Sequence, residues 1–178
     1  MNINKKTIVF PLIGCAAVAL ILLCVYSQSG VRIYSKSAIT MDTIVNIKAV
    51  SSSKKDAYKA IDSAFALLDR LSAQLNFYSP DSEVSMLNKN AGVKETVLSS
   101  DTFDVIEAAV EVSKLSVGAY DPTIGAVSRL WDFPNAIKPD DKDISENLPL
   151  VDYRDVELNS TRNTVMLKKK ACTLILAV

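Results

Sequence analysis

The segment 118–123, GAYDPT, joins two predicted helices through a short corner. Gly118 can adopt the left-handed conformation that ends a helix, and Pro122 fixes φ for the first turn of the next helix. Tyr120 and Asp121 are therefore held on a stiff loop. An aromatic ring beside an acceptor can stack on a heteroaromatic ligand and accept a hydrogen bond from its amide or amine edge. The same pattern is also typical of an ordinary helix joint in which Tyr120 fills the core.

The composition limits the classes of function. The chain has 178 residues, enough for one medium domain or part of a larger one. Its 20 basic and 20 acidic residues balance, so no excess charge attracts nucleic acid, and no nucleic-acid partner is expected. Histidine is absent, which excludes serine–histidine and cysteine–histidine nucleophiles and histidine-ligated metals. An exported hydrolase is disfavoured for this reason.

Residues 1–30 have the pattern of a signal or membrane anchor. Lys5 and Lys6 precede residues 7–26, which carry no charge and would span about 30 Å as a helix. The lysines should remain in the cytoplasm, so the following domain is expected on the extracytoplasmic face. An uncleaved transmembrane anchor is favoured, but lipoprotein processing at Cys15 is an open alternative. Both interpretations attach the domain to a membrane.

The domain is predicted to begin after a tether at residues 31–37. Alternating apolar and polar residues then predict one strand across residues 39–49. Its apolar face would contain Ile39, Met41, Thr43, Val45, Ile47 and Ala49.

Helices and a hairpin are predicted in the rest of the domain. A long helix should run from residue 53 to residue 76, followed by a short helix that Asp81 or Ser82 caps. A second long helix should begin at 99–101 and end at Gly118, and a third should cover 122–130. Residues 134–149 are predicted as a surface loop with one helical turn near Ile144, and 155–167 as a hairpin. The expected class is α+β.

Several short motifs, taken in order, resemble a known family. They are MDT at 41–43, FYS at 77–79 with DSE at 81–83 and LN at 87–88, the corner at 118–123, and LW at 130–131. In this order the chain is similar to the N-terminal half of the ApbE-type FAD:protein FMN transferases over residues 38–133. Asp42 departs from the family pattern, which commonly has glycine there.

The resemblance implies an incomplete ApbE-like, T-fold-like domain behind a membrane anchor. It implies an enzyme that binds FAD and, with Mg²⁺, attaches FMN to a threonine or serine of an acceptor protein from a flavin-carrying respiratory complex or a related domain. The flavin contacts that it implies are Met41, Tyr78, Ala119, Tyr120 and Asp121.

The remaining motif residues are assigned to structure. Met41 is equally consistent with a core position on its strand, and Trp131 is interpreted as a packing anchor. Ser82, Glu83 and Asn88 are interpreted as caps and local hydrogen-bonding residues. No catalytic residue and no metal ligand is assigned in this chain, because the resemblance places the Mg²⁺ ligands further downstream.

The last eight residues suggest an interrupted reading frame. The family pattern predicts an Asp-Leu-Gly-Gly motif after the hairpin, whereas residues 171–178 read ACTLILAV. With suitable codons, a frame that begins at the last base of the Lys170 codon reads Gly-Met-Tyr-Leu-Asp-Leu-Gly-Gly. We therefore expect residues 38–170 to be the N-terminal part of the transferase domain and 171–178 to be out of frame. The chain would then be a truncated, inactive fragment. The alternative is a membrane-anchored, non-catalytic extracytoplasmic binding module.

Overall fold

The computed structural model describes residues 30–176, so nearly all of the predicted anchor at 1–30 lies outside the described residues. Within 30–176, no helix is both long enough and apolar enough to cross a membrane. The chain contacts form two compact units. Of the described residues, one unit contains 30–39 and 43–66, and the other contains 40–42 and 67–176.

The first unit contains a two-stranded sheet and the start of a long helix. The strands are β1 (Arg32–Thr40) and β2 (Thr43–Ser51), and helix α1 (Lys54–Leu75) follows them. Ala57, Ile61 and Phe65 are buried along α1 at a spacing of four residues, which confirms the predicted amphipathic helix.

The prediction of a single strand across 39–49 is wrong. Met41 and Asp42 form a turn between β1 and β2, and their φ values are +50° and +54°. Before the turn, burial is the opposite of the prediction: Ile39 is 80% exposed, while Thr40 is buried. Residues 32–37, assigned to a tether, lie in β1. In β2 the alternation of half-buried Val45, Ile47 and Ala49 with exposed neighbours is as expected.

The second unit has one long helix and several short ones around a small sheet. The helices are α2 (Glu83–Lys89), α3 (Ser100–Leu115), α4 (Gly125–Ser128) and α5 (Asp141–Asn147), and single 3-10 turns cover Leu148–Leu150 and Tyr153–Asp155. The strands are β3 (Thr96–Val97), β4 (Val156–Asn159) and β5 (Thr164–Leu167), in the antiparallel order β3-β5-β4. The predicted hairpin is therefore confirmed, and the fold is mixed α and β.

Local signals predicted the starts of α2 and α3 correctly. Ser82 caps α2 by accepting from the Ser85 N–H, and Ser99 caps α3 by accepting from the Thr102 N–H. Glu83 is more than a local cap residue, because its carboxylate accepts from both the N–H and the hydroxyl of Ser99. The start of α2 is thereby joined to the start of α3.

The segment 171–176 packs inside the second unit. Cys172, Leu174 and Leu176 are buried in its hydrophobic core. The Ile175 N–H donates to the Pro122 carbonyl at 2.8 Å. Ala171, which precedes this segment, has φ of +67°, a value that favours glycine. These contacts do not test the reading frame, so the out-of-frame origin of residues 171–178 remains a prediction.

Candidate functional site

The candidate site is built on the corner that follows α3. Helix α3 ends at Leu115, and the chain leaves it through Val117 and Gly118, whose φ values are +55° and +81°. The Gly118 N–H donates to the Ser113 carbonyl at 2.9 Å, which satisfies one of the free carbonyls at the helix end. The left-handed stop therefore begins at Val117, one residue before the glycine that the sequence predicts, and Gly118 completes it.

Asp121 fixes the shape of the corner. Its Oδ1 accepts from the N–H and the hydroxyl of Thr123, at 2.9 and 2.6 Å. Its Oδ2 accepts from the N–H of Tyr153 at 2.9 Å, and the Thr123 hydroxyl oxygen accepts from the N–H of Asp152 at 2.8 Å. Because both carboxylate oxygens are engaged, Asp121 holds the corner against residues 152–153.

A cavity of about 370 Å³ lies beside this corner. The size is within the lower range of small-molecule pockets. Three of the predicted contact residues, Ala119, Tyr120 and Asp121, line it together. The remaining lining residues are Gly118, Ile124, Val151 and Ile175. Apolar walls with one aromatic ring suit a flat heteroaromatic ligand.

Tyr120 presents a neutral phenol to this cavity. Its side chain is 41% exposed. Partial burial, and in second place the neighbouring Asp121 carboxylate, raise the pKa of the Tyr120 phenol above its usual value of 10.0. The phenol therefore stays protonated at neutral pH and can donate a hydrogen bond as well as stack.

Met41 and Tyr78 are not among the residues that line this cavity. Met41 is half-buried in the turn between β1 and β2, and it is not on the regular part of a strand. Tyr78 is 71% exposed on the loop before α2, and its ring lies edge-on to Phe77 with centroids 5.0 Å apart. Their assignment as flavin contacts remains a prediction.

The sequence did not predict three wall residues and one supporting residue. Ile124 directly follows the corner. Val151 and Ile175 reach the cavity from segments remote from the corner. Asn88, interpreted as a local residue, instead pairs with the backbone of Leu174, donating to its carbonyl and accepting from its N–H at 2.8 Å each. These partners are 86 residues apart, so no local pattern could have indicated the contact.

The described residues do not fit a magnesium site. Mg²⁺ prefers several oxygen ligands, and both oxygens of Asp121 already accept hydrogen bonds. Within 30–176, no group of three or more cysteine, aspartate or glutamate side chains is placed to hold a metal ion.

Comparisons with known proteins agree with the resemblance in the sequence. A model of the ApbE family matches residues 41–177. An FAD:protein FMN transferase from Treponema pallidum is 28% identical over 163 residues, which are 88% of this chain and 44% of the relative. The FAD:protein FMN transferase of Haemophilus influenzae is 29% identical, over 76% of this chain and 40% of the relative.

Solved structures show the same likeness. The crystal structure of the ApbE protein from Thermotoga maritima superimposes with a TM-score of 0.73 at 25% identity, over 82% of this chain and 48% of that chain. The chain thus spans less than half the length of these relatives. Because the family model matches well over half of the chain, the protein belongs to the ApbE family.

Proposed function

We propose that this chain forms the N-terminal, flavin-binding part of an FAD:protein FMN transferase. The observation that carries the proposal is the cavity beside the corner, lined by residues 119–121 within the segment that matches the family. FAD is the proposed substrate, with its isoalloxazine ring against Tyr120, Ile124 and Val151. The apolar lining and the single aromatic ring support this placement.

In the proposed reaction a threonine or serine hydroxyl of the acceptor attacks the FMN phosphorus of FAD. A new phosphoester bond forms, the phosphoanhydride bond breaks, AMP leaves with the electron pair, and the hydroxyl proton passes to a base. In this chain Tyr120 would hold the flavin ring, and Asp121 would keep the corner in place through its bonds to Thr123 and Tyr153.

The proposal includes Mg²⁺ dependence, with ligands beyond the described residues. Phosphoryl transfer depends mainly on positioned charge and metal ions. Within 30–176, no group of acidic or cysteine side chains is placed to hold such an ion. We therefore propose that the 178-residue chain alone transfers no FMN. The relatives are more than twice the matched length, which supports this interpretation.

The location and the partner are also proposals. Residues 7–26 are uncharged and follow Lys5 and Lys6, which supports a membrane-attached domain on the extracytoplasmic face. The proposed acceptor is a flavin-carrying protein of a respiratory complex or a related domain.

Titration of the full chain with FAD, followed by quenching of flavin fluorescence, tests the binding proposal. Tyr120→Ala should weaken FAD binding by about tenfold, because a stacked aromatic pair contributes about 1 kcal/mol beyond its buried area. Tyr58→Ala is the matched control, since Tyr58 has similar exposure (36%) and lies on α1. Equal FAD affinity in the wild-type chain and in Tyr120→Ala would refute the flavin site.

A transfer assay tests the proposed inactivity. The full chain would be incubated with FAD, Mg²⁺ and an acceptor domain that carries the target threonine. We expect no covalent flavin fluorescence on the acceptor after denaturing electrophoresis. A fluorescent acceptor band would refute the proposal that this chain is inactive.

A further inference from the structure

A second cavity, in the unit that contains residues 67–176, has a different chemistry. It measures about 300 Å³ and lies between α2, the residues after α4, and the segment that follows Ala171. We call it the cationic cleft and define it by Phe77, Ser85, Asn88, Lys89, Arg129 and Thr173. No residue of this set lines the cavity beside the corner.

The cationic cleft contains two basic side chains and no acidic one. Within the described part of the chain, neither Lys89 nor Arg129 forms an ion pair, although nine other pairs occur there. The Lys89 ammonium donates to the Pro80 carbonyl at 2.9 Å, which leaves two of its three protons for other acceptors. The Arg129 guanidinium has only a long contact of 3.5 Å, to Asn147 Oδ1. Two cations with spare donors therefore share one cavity.

The walls of the cationic cleft are held by hydrogen bonds. Asn88 binds the backbone of Leu174 at two points, and the Ser85 hydroxyl donates to the Phe77 carbonyl at 3.1 Å. Phe77 adds an aromatic ring to the lining. Such a site is preorganised, so binding an anion there requires little ordering of the backbone.

We propose that the cationic cleft binds a phosphate group of a nucleotide, with Lys89 and Arg129 as the anion ligands and Phe77 beside the attached nucleoside. The planar guanidinium of arginine can donate to two phosphate oxygens at once, and lysine supplies a compact point charge. The cavity exceeds the volume of a lone phosphate and suits a phosphate with part of its nucleoside. The inference deepens the proposed function, on which it rests for the identity of the ligand, because FAD carries two phosphates.

The test uses three probes on the full chain in mild detergent, with calorimetry or ligand-detected NMR as the readout. ADP has the phosphates without the flavin, riboflavin has the flavin ring without phosphates, and inorganic phosphate has neither ring. The double variant Lys89→Gln/Arg129→Gln should bind ADP at least about tenfold more weakly than the wild-type chain, since it removes both charge-assisted hydrogen bonds to the phosphates. Riboflavin binding should not change. Lys55→Gln/Lys59→Gln, which removes the same charge from exposed positions on α1, should leave both affinities unaltered.

The outcomes separate this inference from the proposed flavin site. If Lys89→Gln/Arg129→Gln binds ADP as tightly as the wild-type chain, or if the α1 control loses ADP affinity to the same extent, the cationic cleft is not a phosphate site. Neither result would change the conclusion from riboflavin binding. Loss of riboflavin binding in Tyr120→Ala with ADP binding retained supports both sites. A second variant, Phe77→Leu, should weaken ADP binding and leave inorganic phosphate binding unchanged. If the cationic cleft binds ADP no more tightly than inorganic phosphate, and Phe77→Leu has no effect, the nucleotide assignment is wrong.

Discussion

The corner at 118–123 and the turn at 41–42 both leave a regular element through left-handed backbone, but they are held in different ways. In the corner the largest positive φ belongs to Gly118, and a partly buried hydrogen-bond network surrounds Asp121. In the turn the two residues are Met41 and Asp42, which have side chains where glycine is favoured. The candidate cavity is thus lined by a loop that hydrogen bonds restrain, whereas the turn joins the paired strands β1 and β2.

The largest expected effect is the loss of the network at the corner. Asp121→Ala removes the acceptor for three hydrogen bonds and leaves the N–H groups of Thr123 and Tyr153 unpaired. We expect it to lower the free energy of unfolding by about 3 kcal/mol. Asp42→Ala, at the exposed turn, should cost less than about 1 kcal/mol. Urea unfolding of both variants measures the difference, and a smaller loss for Asp121→Ala than for Asp42→Ala would contradict it.

The contrast between corner and turn also shows what the sequence could predict. The caps Ser82 and Ser99 act on their own chain neighbours, so their patterns predicted the starts of α2 and α3 correctly. Gly118 and Pro122 indicated a break between two helices, but α3 ends at Leu115 and α4 begins at Gly125, not at Pro122. Met41 and Asp42 do not interrupt the alternation, so one strand was predicted across 39–49, and most of β1 was assigned to the tether.

The wall of the candidate site was predicted only where it is local. Residues 119–121 are consecutive, and their position on a stiff loop follows from Gly118 and Pro122. Val151 and Ile175 reach the same cavity because the Asp121 network ties residues 152–153 to the corner and the Ile175 N–H donates to Pro122. Such long-range contacts arise from tertiary packing, which a pattern of periods and caps does not encode.

A smaller effect is expected from the glycine of the corner. Gly118→Ala places a side chain at φ of +81°, which costs about 1–2 kcal/mol. An added Cβ would meet Tyr153 Cε1 at 3.6 Å, an ordinary contact, so the cost comes from the backbone alone. Gly30→Ala, where nothing lies within 4 Å, is the control and should have no effect on urea unfolding. An unchanged midpoint for Gly118→Ala would show that the corner tolerates a side chain.

Replacement in the opposite direction should stabilise the strained positions. Ala171→Gly relieves φ of +67° and should raise the free energy of unfolding by about 0.5–1 kcal/mol. Asp42→Gly should give a smaller gain, because aspartate tolerates left-handed backbone better than alanine. Urea unfolding again measures both variants. A loss of stability in Ala171→Gly would count against strain at this position. A gain would agree with the alternative reading frame, which places a glycine at the Lys170–Ala171 junction.

The smallest expected effect is a pH dependence of the corner. Burial and the Asp121 carboxylate raise the pKa of the Tyr120 phenol above 10.0 in the folded chain. The folded protein therefore holds this proton more tightly than the unfolded chain does, and the resulting stability is present below pH 10.0 and is lost as pH rises through the folded pKa. Ultraviolet difference titration of the wild-type chain against Tyr120→Phe isolates this phenol. A Tyr120 pKa at or below 10.0 would mean that the ring is more hydrated than the cavity wall requires. If the pKa is raised in the wild-type chain and returns to its ordinary value in Asp121→Asn, the carboxylate, and not burial, causes the rise.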